Sequence, residues 1–274
     1  MNKGKASKAD QKNDGAAIAA LLKLLAALCT TNELSNISCL FISMDYYTAM
    51  PQRQDIFTLM GGKVRIRRGS YNPTSDAVWL AAFAGGAKTV LDVGIGTGGA
   101  ALCYLHHHPA AAVTGLDISD DRLSECAGNA ELNVRDIELL NTDIMTWKTG
   151  RTFDLVMTNP PYFKGTPAGH GAHHNADIAA WTRKCLARVR PRGHFCAIVD
   201  CAVMADVFSA MAPTCGELRI FPLFGAKNTA ERVLIGGRLG VRGGARLFSG
   251  LSMNCDSVLR DGLTILSVSA MLSE

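Results

Sequence analysis

The sequence lacks a hydrophobic run of membrane-spanning length. The stretch that most invites such a reading, Ile18 to Leu28, falls short of the ~20 residues required and is interrupted by Lys23. It also lacks paired cysteines. Nine are present, an odd number with no C-x-x-C spacing. Cys103, Cys185, Cys196 and Cys201 lie among apolar residues, which argues against a zinc ribbon or a disulfide scaffold and for reduced core side chains in a cytoplasmic protein. Ligand spacing for a metal is missing too. His106-His107-His108 and the group His170, His173 and His174 have no acidic or cysteine companions, so no metal is expected. The triplet reads as a helix end, where imidazolium would suit the dipole. The second group falls in a glycine-rich loop, where it would suit a polyanionic substrate nearby. Charge is sparse at 19% against 48% hydrophobic residues, so disorder is not expected outside the ends. Acids are absent between Lys63 and Arg68, a span that also holds Arg65 and Arg67. From Gly216 to Gly250, Arg219, Lys227, Arg232, Arg238, Arg242 and Arg246 outnumber Glu217 and Glu231. Within a net charge of +4, these runs suit a nucleic-acid partner, and a solvated strand face explains them equally well.

What is present is a strong alternation of elements. Residues 1–43 look like a separate extension, poorly ordered or helical, with Lys3, Lys5, Lys8 and Lys12 ahead of the apolar run. A signal peptide is disfavoured by Asp10 and Asp14 and by the want of a small-residue cleavage site; Met44 is a candidate start. Residues 44–88 read as an N-terminal cap. Val64 and Ile66 alternate with basic neighbours as in a half-exposed strand or hairpin arm, and a helix opens at Pro73 with Asn72 as N-cap. Its apolar positions are Val78, Trp79, Leu80 and Phe83. Residues 89–274 then alternate. Strands are expected at 89–93, 112–117, 137–140, 153–158, 195–199, 218–223 and 233–239. Helices are expected at 98–107, 119–132, 176–189 and 203–211, with Ser119 as an N-cap and Pro191-Arg192-Gly193 as a stop. This pattern specifies an α/β fold with a doubly wound, mostly parallel, seven-stranded sheet.

The run Phe153 to Thr158 ends in Asn159-Pro160-Pro161-Tyr162. Consecutive prolines cannot continue a ladder and stiffen the chain, so a carboxamide is held at the mouth of the sheet with an aromatic ring three residues on. That arrangement suits a flat, hydrogen-bonding ring. Upstream, Asp92-Val-Gly94-Ile-Gly96-Thr97-Gly98-Gly99 occupies the first strand-to-helix turn, where glycines admit close approach of a ligand. Asp117 ends the next strand, where a carboxylate can take ribose hydroxyls. The glycine loop alone would also fit a nicotinamide dehydrogenase. Asp92 before the first glycine suits a ligand bearing an ammonium group, and a dehydrogenase has no use for Asn159-Pro160-Pro161-Tyr162.

Together these motifs resemble the class I S-adenosylmethionine-dependent methyltransferases, and Asn159-Pro160-Pro161-Tyr162 resembles the signature of the branch that methylates planar amino or amide nitrogens. Leu59 to Arg68, Tyr71 to Ala82, the Asn159 to Phe163 segment and Ala230 to Ile235 are similar to the bacterial tRNA(Val) adenine N6-methyltransferase family, over roughly residues 55–265. The resemblance implies that Asp92, Gly94 and Gly96 hold the methionine part of the cofactor. Asp117 would bind the ribose, Ile118 would pack on the adenine, and Asp143 with Ile144 would take the adenine edge; for Asp143 a plain turn role is the alternative. Ser75 and Asp76 would close the pocket or simply start a helix. Asn159, counted among the cofactor residues as well, and the Pro160 carbonyl would orient the acceptor amine, Tyr162 would stack on the base, Pro161 would border it, and Phe163 would be its second face or a core residue. By charge, Lys63, Arg65 and Arg67 and the run from Arg232 to Arg246 are the candidates for phosphate contacts. The implied activity is N6-adenine methylation of RNA, most readily tRNA beside the anticodon. Alternatives are a glutamine N5-methyltransferase acting on release factors, an rRNA base methyltransferase, and an idle cofactor- or RNA-binding module. The last has no need of Asn159.

Overall fold

The computed structural model describes residues 55–161, 177–226, 229–265 and 267–268. The chain divides into two units, residues 1–54 and 55–274, and the description below concerns the second. Its sheet follows from the apolar runs. Strands β3 (Thr89–Val93), β4 (Ala112–Asp117), β5 (Glu138–Asn141), β6 (Phe153–Thr158), β7 (Val189–Asp200), β8 (Cys215–Phe224) and β9 (Ala230–Leu239) lie in the order β5-β4-β3-β6-β7-β9-β8. All neighbours are parallel except β9, which runs antiparallel to both β7 and β8. Two short strands, β10 (Ala245–Leu247) and β11 (Leu251–Ser252), pair with β8 and bring the count to nine. The expected doubly wound sheet is therefore present with two edge strands that are too short to stand out in sequence. A separate antiparallel hairpin joins β1 (Ile56–Leu59) to β2 (Val64–Arg67).

Helices cover both faces. On one lie α1 (Ser75–Phe83), α2 (Gly99–His107) and α3 (Asp120–Leu132), packed with Val90, Leu155, Cys196 and Leu234. On the other lie α4 (Ile178–Leu186) and α5 (Met204–Met211), packed with Leu91, Val156, Phe195 and Val233. A one-turn α6 (Asp256–Leu259) contacts α1. Helix α1 is buried from Asp76 through Phe83, which explains why its sequence is apolar all round. Cys103, Cys185 and Cys196 are buried in the core as expected, and burial pushes their thiols up.

Local details correct the sequence reading. Helix α1 is capped by Thr74, whose hydroxyl accepts from the Asp76 amide, and the Asn72 side chain instead accepts from Gly69. Ser119 caps α3 as expected. Helix α4 ends at Leu186, and Pro191-Arg192-Gly193 lies inside β7. The ladder with β6 shifts register there, and a bulge tolerates a residue with no amide proton. The histidine triplet does end α2, but imidazolium is the wrong state for His107. Burial, its two histidine neighbours and Lys63 lower its pKa to about 4.

Candidate functional site

Strand order reverses at β3: β4 and β5 lie to one side, β6 and β7 to the other. The crevice at the carboxyl ends of β3 and β6 is the place where such sheets bind ligands. The glycine loop closes β3 there. Gly94, Gly96 and Gly98 take φ of 75°, 56° and 88°, a region costly for other residues. The turn is pinned by its own amides. Gly94 and Ile95 each donate to the Leu116 carbonyl at 2.9 Å, and Gly96 donates to Asp117 Oδ2 at 2.9 Å. The other oxygen of Asp117 accepts from Ser119 at 3.0 Å, so this carboxylate is oriented by two backbone donors. Asn129, fully buried on α3, donates to the Thr97 carbonyl at 2.9 Å.

Asp92 is different. It is 2% exposed, and its Oδ2 has no hydrogen-bond partner among the described residues. Burial, then the nearby Asp117, raise its pKa to about 7, against the Ala101 amide that favours the charged form. A buried acceptor without a donor is costly, and a ligand carrying an ammonium group would relieve it.

Two aromatic side chains border the loop. A Cβ built on Gly94 would lie 3.7 Å from the Trp181 ring, and one on Gly96 would lie 3.8 Å from Tyr71. The Trp181 indole donates to Thr158 Oγ1 at 3.2 Å, and that hydroxyl donates to the Val93 carbonyl at 2.8 Å. Arg122 lies over the Tyr71 ring at 5.5 Å. Trp181 had read as an ordinary apolar position of a helix. The clue missed was that a half-buried indole N–H needs an acceptor.

Asn159 directly follows Thr158, which pairs with Val93, so it stands one step beyond the glycine-loop strand. Its carboxamide is partly exposed and makes no side-chain hydrogen bond among the described residues, while Pro160 is buried and Pro161 half-buried. Tyr162, Phe163, His170, His173 and His174 lie outside the described residues. Ile118 is 63% exposed, an apolar side chain on the surface beside Asp117. Asp143 makes a turn, its Oδ1 accepting from Met145 at 2.8 Å, which is the plainer of the two roles considered for it. Ile144 is buried in the core with Leu116 and Val156.

At the same end of the sheet, Arg232 bridges Asp76 (3.3 Å) and Asp200 (2.9 Å), tying α1 to β7 and β9. Ser75 opens α1 beside it. The basic hairpin is tied inward. Lys63 donates to the Arg260 and Asp261 carbonyls, Arg65 to the Leu132 carbonyl, and the backbone amide of Arg67 to Asn129. Anchoring the hairpin is thus the role visible for these residues. In the later basic run, Arg238 pairs with Glu217 and Arg219 lies over Phe83, while Arg242 and Arg246 are exposed. Lys227 lies outside the described residues. No cluster of metal-ligating side chains and no helix long and apolar enough to cross a membrane occurs among the described residues.

Sheet order, glycine turn and paired aspartates define a Rossmann-like class I methyltransferase fold. A crystal structure described as a predicted O-methyltransferase from Agrobacterium tumefaciens shares it, with a TM-score of 0.54 and 22% identity over 65% of this chain and 88% of that one. Residues 76–196 match the family model of the methyltransferase small domain. The resemblance read from the motifs is borne out by a protein named tRNA1(Val) (adenine(37)-N6)-methyltransferase from Glaesserella parasuis. It is 31% identical over 124 residues, covering 42% of this chain and 52% of that protein. A ribosomal protein uL3 glutamine methyltransferase from Xanthomonas campestris is 44% identical over 73 residues, 26% of this chain and 24% of that protein. The chain thus spans about half the length of the first relative and a quarter of the second.

Proposed function

We propose that this protein is an S-adenosylmethionine-dependent N-methyltransferase acting on the amino group of adenine in RNA, with tRNA next to the anticodon the preferred substrate. The observation that carries the reading is a carboxamide, Asn159, just past the end of β6, next to the strand β3 that holds Asp92, a buried carboxylate whose Oδ2 has no partner among the described residues. The crevice fits the cofactor by its own chemistry. Asp92 and the loop at Gly94 and Gly96 would hold the amino-acid part, the ammonium answering Oδ2. Asp117, preset by the Gly96 and Ser119 amides, would take the ribose hydroxyls, with Ile118 against the adenine. When bound, S-adenosylmethionine supplies an electrophilic methyl group on sulfonium.

The remaining work belongs to the chain. The amine of adenine is a weak nucleophile because its lone pair is delocalised into the ring. Accepting its protons at the Asn159 side-chain oxygen and the Pro160 carbonyl favours a pyramidal nitrogen and aims the lone pair. This is positioning and electrostatic stabilisation rather than strong-base catalysis. Tyr162 would stack on the extruded base, a contact worth ~1–3 kcal/mol in comparable sites.

A second reading, methylation of a protein glutamine amide, is favoured by the uL3 relative, since an amide presents the same planar NH2 to the same carboxamide. The two separate in one experiment. The protein is incubated with methyl-labelled S-adenosylmethionine and either total RNA or release factor. Label in RNA supports the adenine reading; label confined to protein removes it.

A further inference from the structure

The opposite end of the sheet carries a second concave site. The amino ends of β3, β6 and β7, with the end of β9, border a half-open hollow of about 330 Å³ lined by Lys88, Asp154, Arg190, Arg192, His194 and Arg238. That is the lower end of the ~300–1,000 Å³ typical of small-ligand pockets. Four cations line it against one carboxylate, and that carboxylate is already engaged. Asp154 Oδ2 accepts from the Lys88 and Thr89 amides at 3.1 and 3.0 Å, and Oδ1 pairs with Arg190 Nε at 2.8 Å. Arg238 is fixed as well, donating to the Arg192 carbonyl and to Glu217. These anchored guanidinium groups flank two further cations, the Lys88 ammonium and the Arg192 guanidinium, whose charged ends have no partner among the described residues.

Backbone conformation makes the same point. Arg192 sits at φ 64°, where a long side chain is uncommon, inside the β7 bulge. The bulge is tight: a Cβ on Gly193 would stand 2.9 Å from the Asp154 carbonyl. A strained residue kept in a cationic hollow is more economically explained by a ligand than by packing. His194 adds a nitrogen that stays neutral at pH 7, burial and then Arg219 and Arg238 lowering its pKa.

We propose that this cavity binds a phosphate group, held between the anchored guanidinium groups of Arg190 and Arg238 and charge-paired by Lys88 and Arg192. Arginine forks match phosphate oxygens in geometry, and a partly enclosed site strengthens the pairing. The phosphate comes either from a free nucleotide or inorganic ion, or from the backbone of a bound RNA. Five residue steps of β6, ~17 Å at strand rise, separate Asp154 from Asn159. An RNA phosphate seated here would therefore be remote from any base held at the crevice. The binding chemistry does not depend on what the crevice methylates.

The test uses the full chain and the double variant Lys88→Glu with Arg192→Glu, both side chains being exposed. The unfolding midpoint is followed as inorganic phosphate replaces chloride at constant ionic strength. Affinity for a single-stranded RNA oligonucleotide is measured against salt in parallel. Wild type should gain stability with phosphate, and the double variant should lose that gain while keeping its midpoint in chloride. If the RNA salt slope also falls in the variant by about 0.7 or more, the RNA backbone is the source. If the slope is unchanged while the phosphate effect is lost, a free phosphate-bearing ligand is the source. No phosphate effect in wild type together with an unchanged slope, or equal responses in both proteins, would overturn the proposal. The neutral pair Lys88→Gln with Arg192→Gln repeats both arms if charge reversal disturbs folding.

Discussion

Two side chains in the crevice carry most of the account, and each can be tested alone. Asn159→Ala should bind S-adenosylmethionine as wild type does, because the residues proposed to hold most of the cofactor lie on and just after β3 and β4. Methyl transfer should fall by ~10²–10³-fold, the usual loss when a preorganised polar group at a reacting centre is removed. Calorimetric cofactor binding beside a labelled-transfer assay checks both halves. Asp92 makes a prediction in pH. Its pKa in the folded chain is raised from 3.8 to about 7, so the fold holds a proton that the unfolded chain has already released. Stability from this group is therefore present below pH ~4, declines as pH rises toward 7, and is level above, a change on the order of 4 kcal/mol. A ligand ammonium selects the carboxylate form, so cofactor affinity should climb through the same window and flatten above pH 7. Asp92→Asn should remove both trends, read by denaturant unfolding and cofactor titration from pH 5 to 8. At this scale the sequence told much, because a Gly-rich turn and a double proline are local signals. It did not reveal the unpartnered Oδ2 of Asp92, which depends on the packing of Ala101 and Asp117 around it. Nor did it reveal Trp181 at the loop, which depends on where α4 docks.

Among the elements, α3 does more than cover the sheet. Asn129 and Asn133, one turn apart, present carboxamides to the edge of β2. They accept from the Arg67 and Arg65 amides at 2.9 Å each, and Asn133 also donates to the Arg65 carbonyl. The helix thereby protects a strand edge that would otherwise be open. The same Asn129 holds the glycine loop through Thr97. Asn129→Ala leaves buried groups of both segments without partners and should destabilise the protein by about 2–4 kcal/mol. Chemical denaturation gives that figure, and hydrogen exchange should accelerate at Arg67. Periodicity predicted α3 and its Ser119 cap because both are local. It could not foresee two asparagines standing in for a strand, which requires the hairpin to arrive from some sixty residues away. The β7 error has a similar origin. Proline and glycine in Pro191-Arg192-Gly193 read as a stop, whereas pairing with β6 at Val189 before it and at His194 after it carries the strand through as a bulge.

As a whole molecule the sheet is polar. Its carboxyl end gathers Asp92, Asp117 and Asn159, and its amino end gathers Lys88, Arg190, Arg192 and Arg238. Alternation of strands and helices made the parallel order legible from sequence, since crossover connections leave few other topologies. The pairing of β9 with β7 was not, because an antiparallel strand leaves the same apolar run as a parallel one. Of the basic residues of the hairpin that looked like a phosphate-binding stripe, Lys63 and Arg65 donate to carbonyls at the ends of α6 and α3 and Arg68 pairs with Asp55, while the cations of the amino end come from three distant segments. Charge reversal at Lys63 should accordingly cost stability through its lost bonds to Arg260 and Asp261 more than it changes the salt slope of RNA binding. Thermal unfolding beside a binding isotherm would show which dominates. The most direct test of the central claim is mass spectrometry of nucleosides from RNA incubated with the protein and labelled S-adenosylmethionine. The account predicts N6-methyladenosine, lost with Asn159→Ala. A methyl group on oxygen or ring carbon, or undiminished product from that variant, would contradict it.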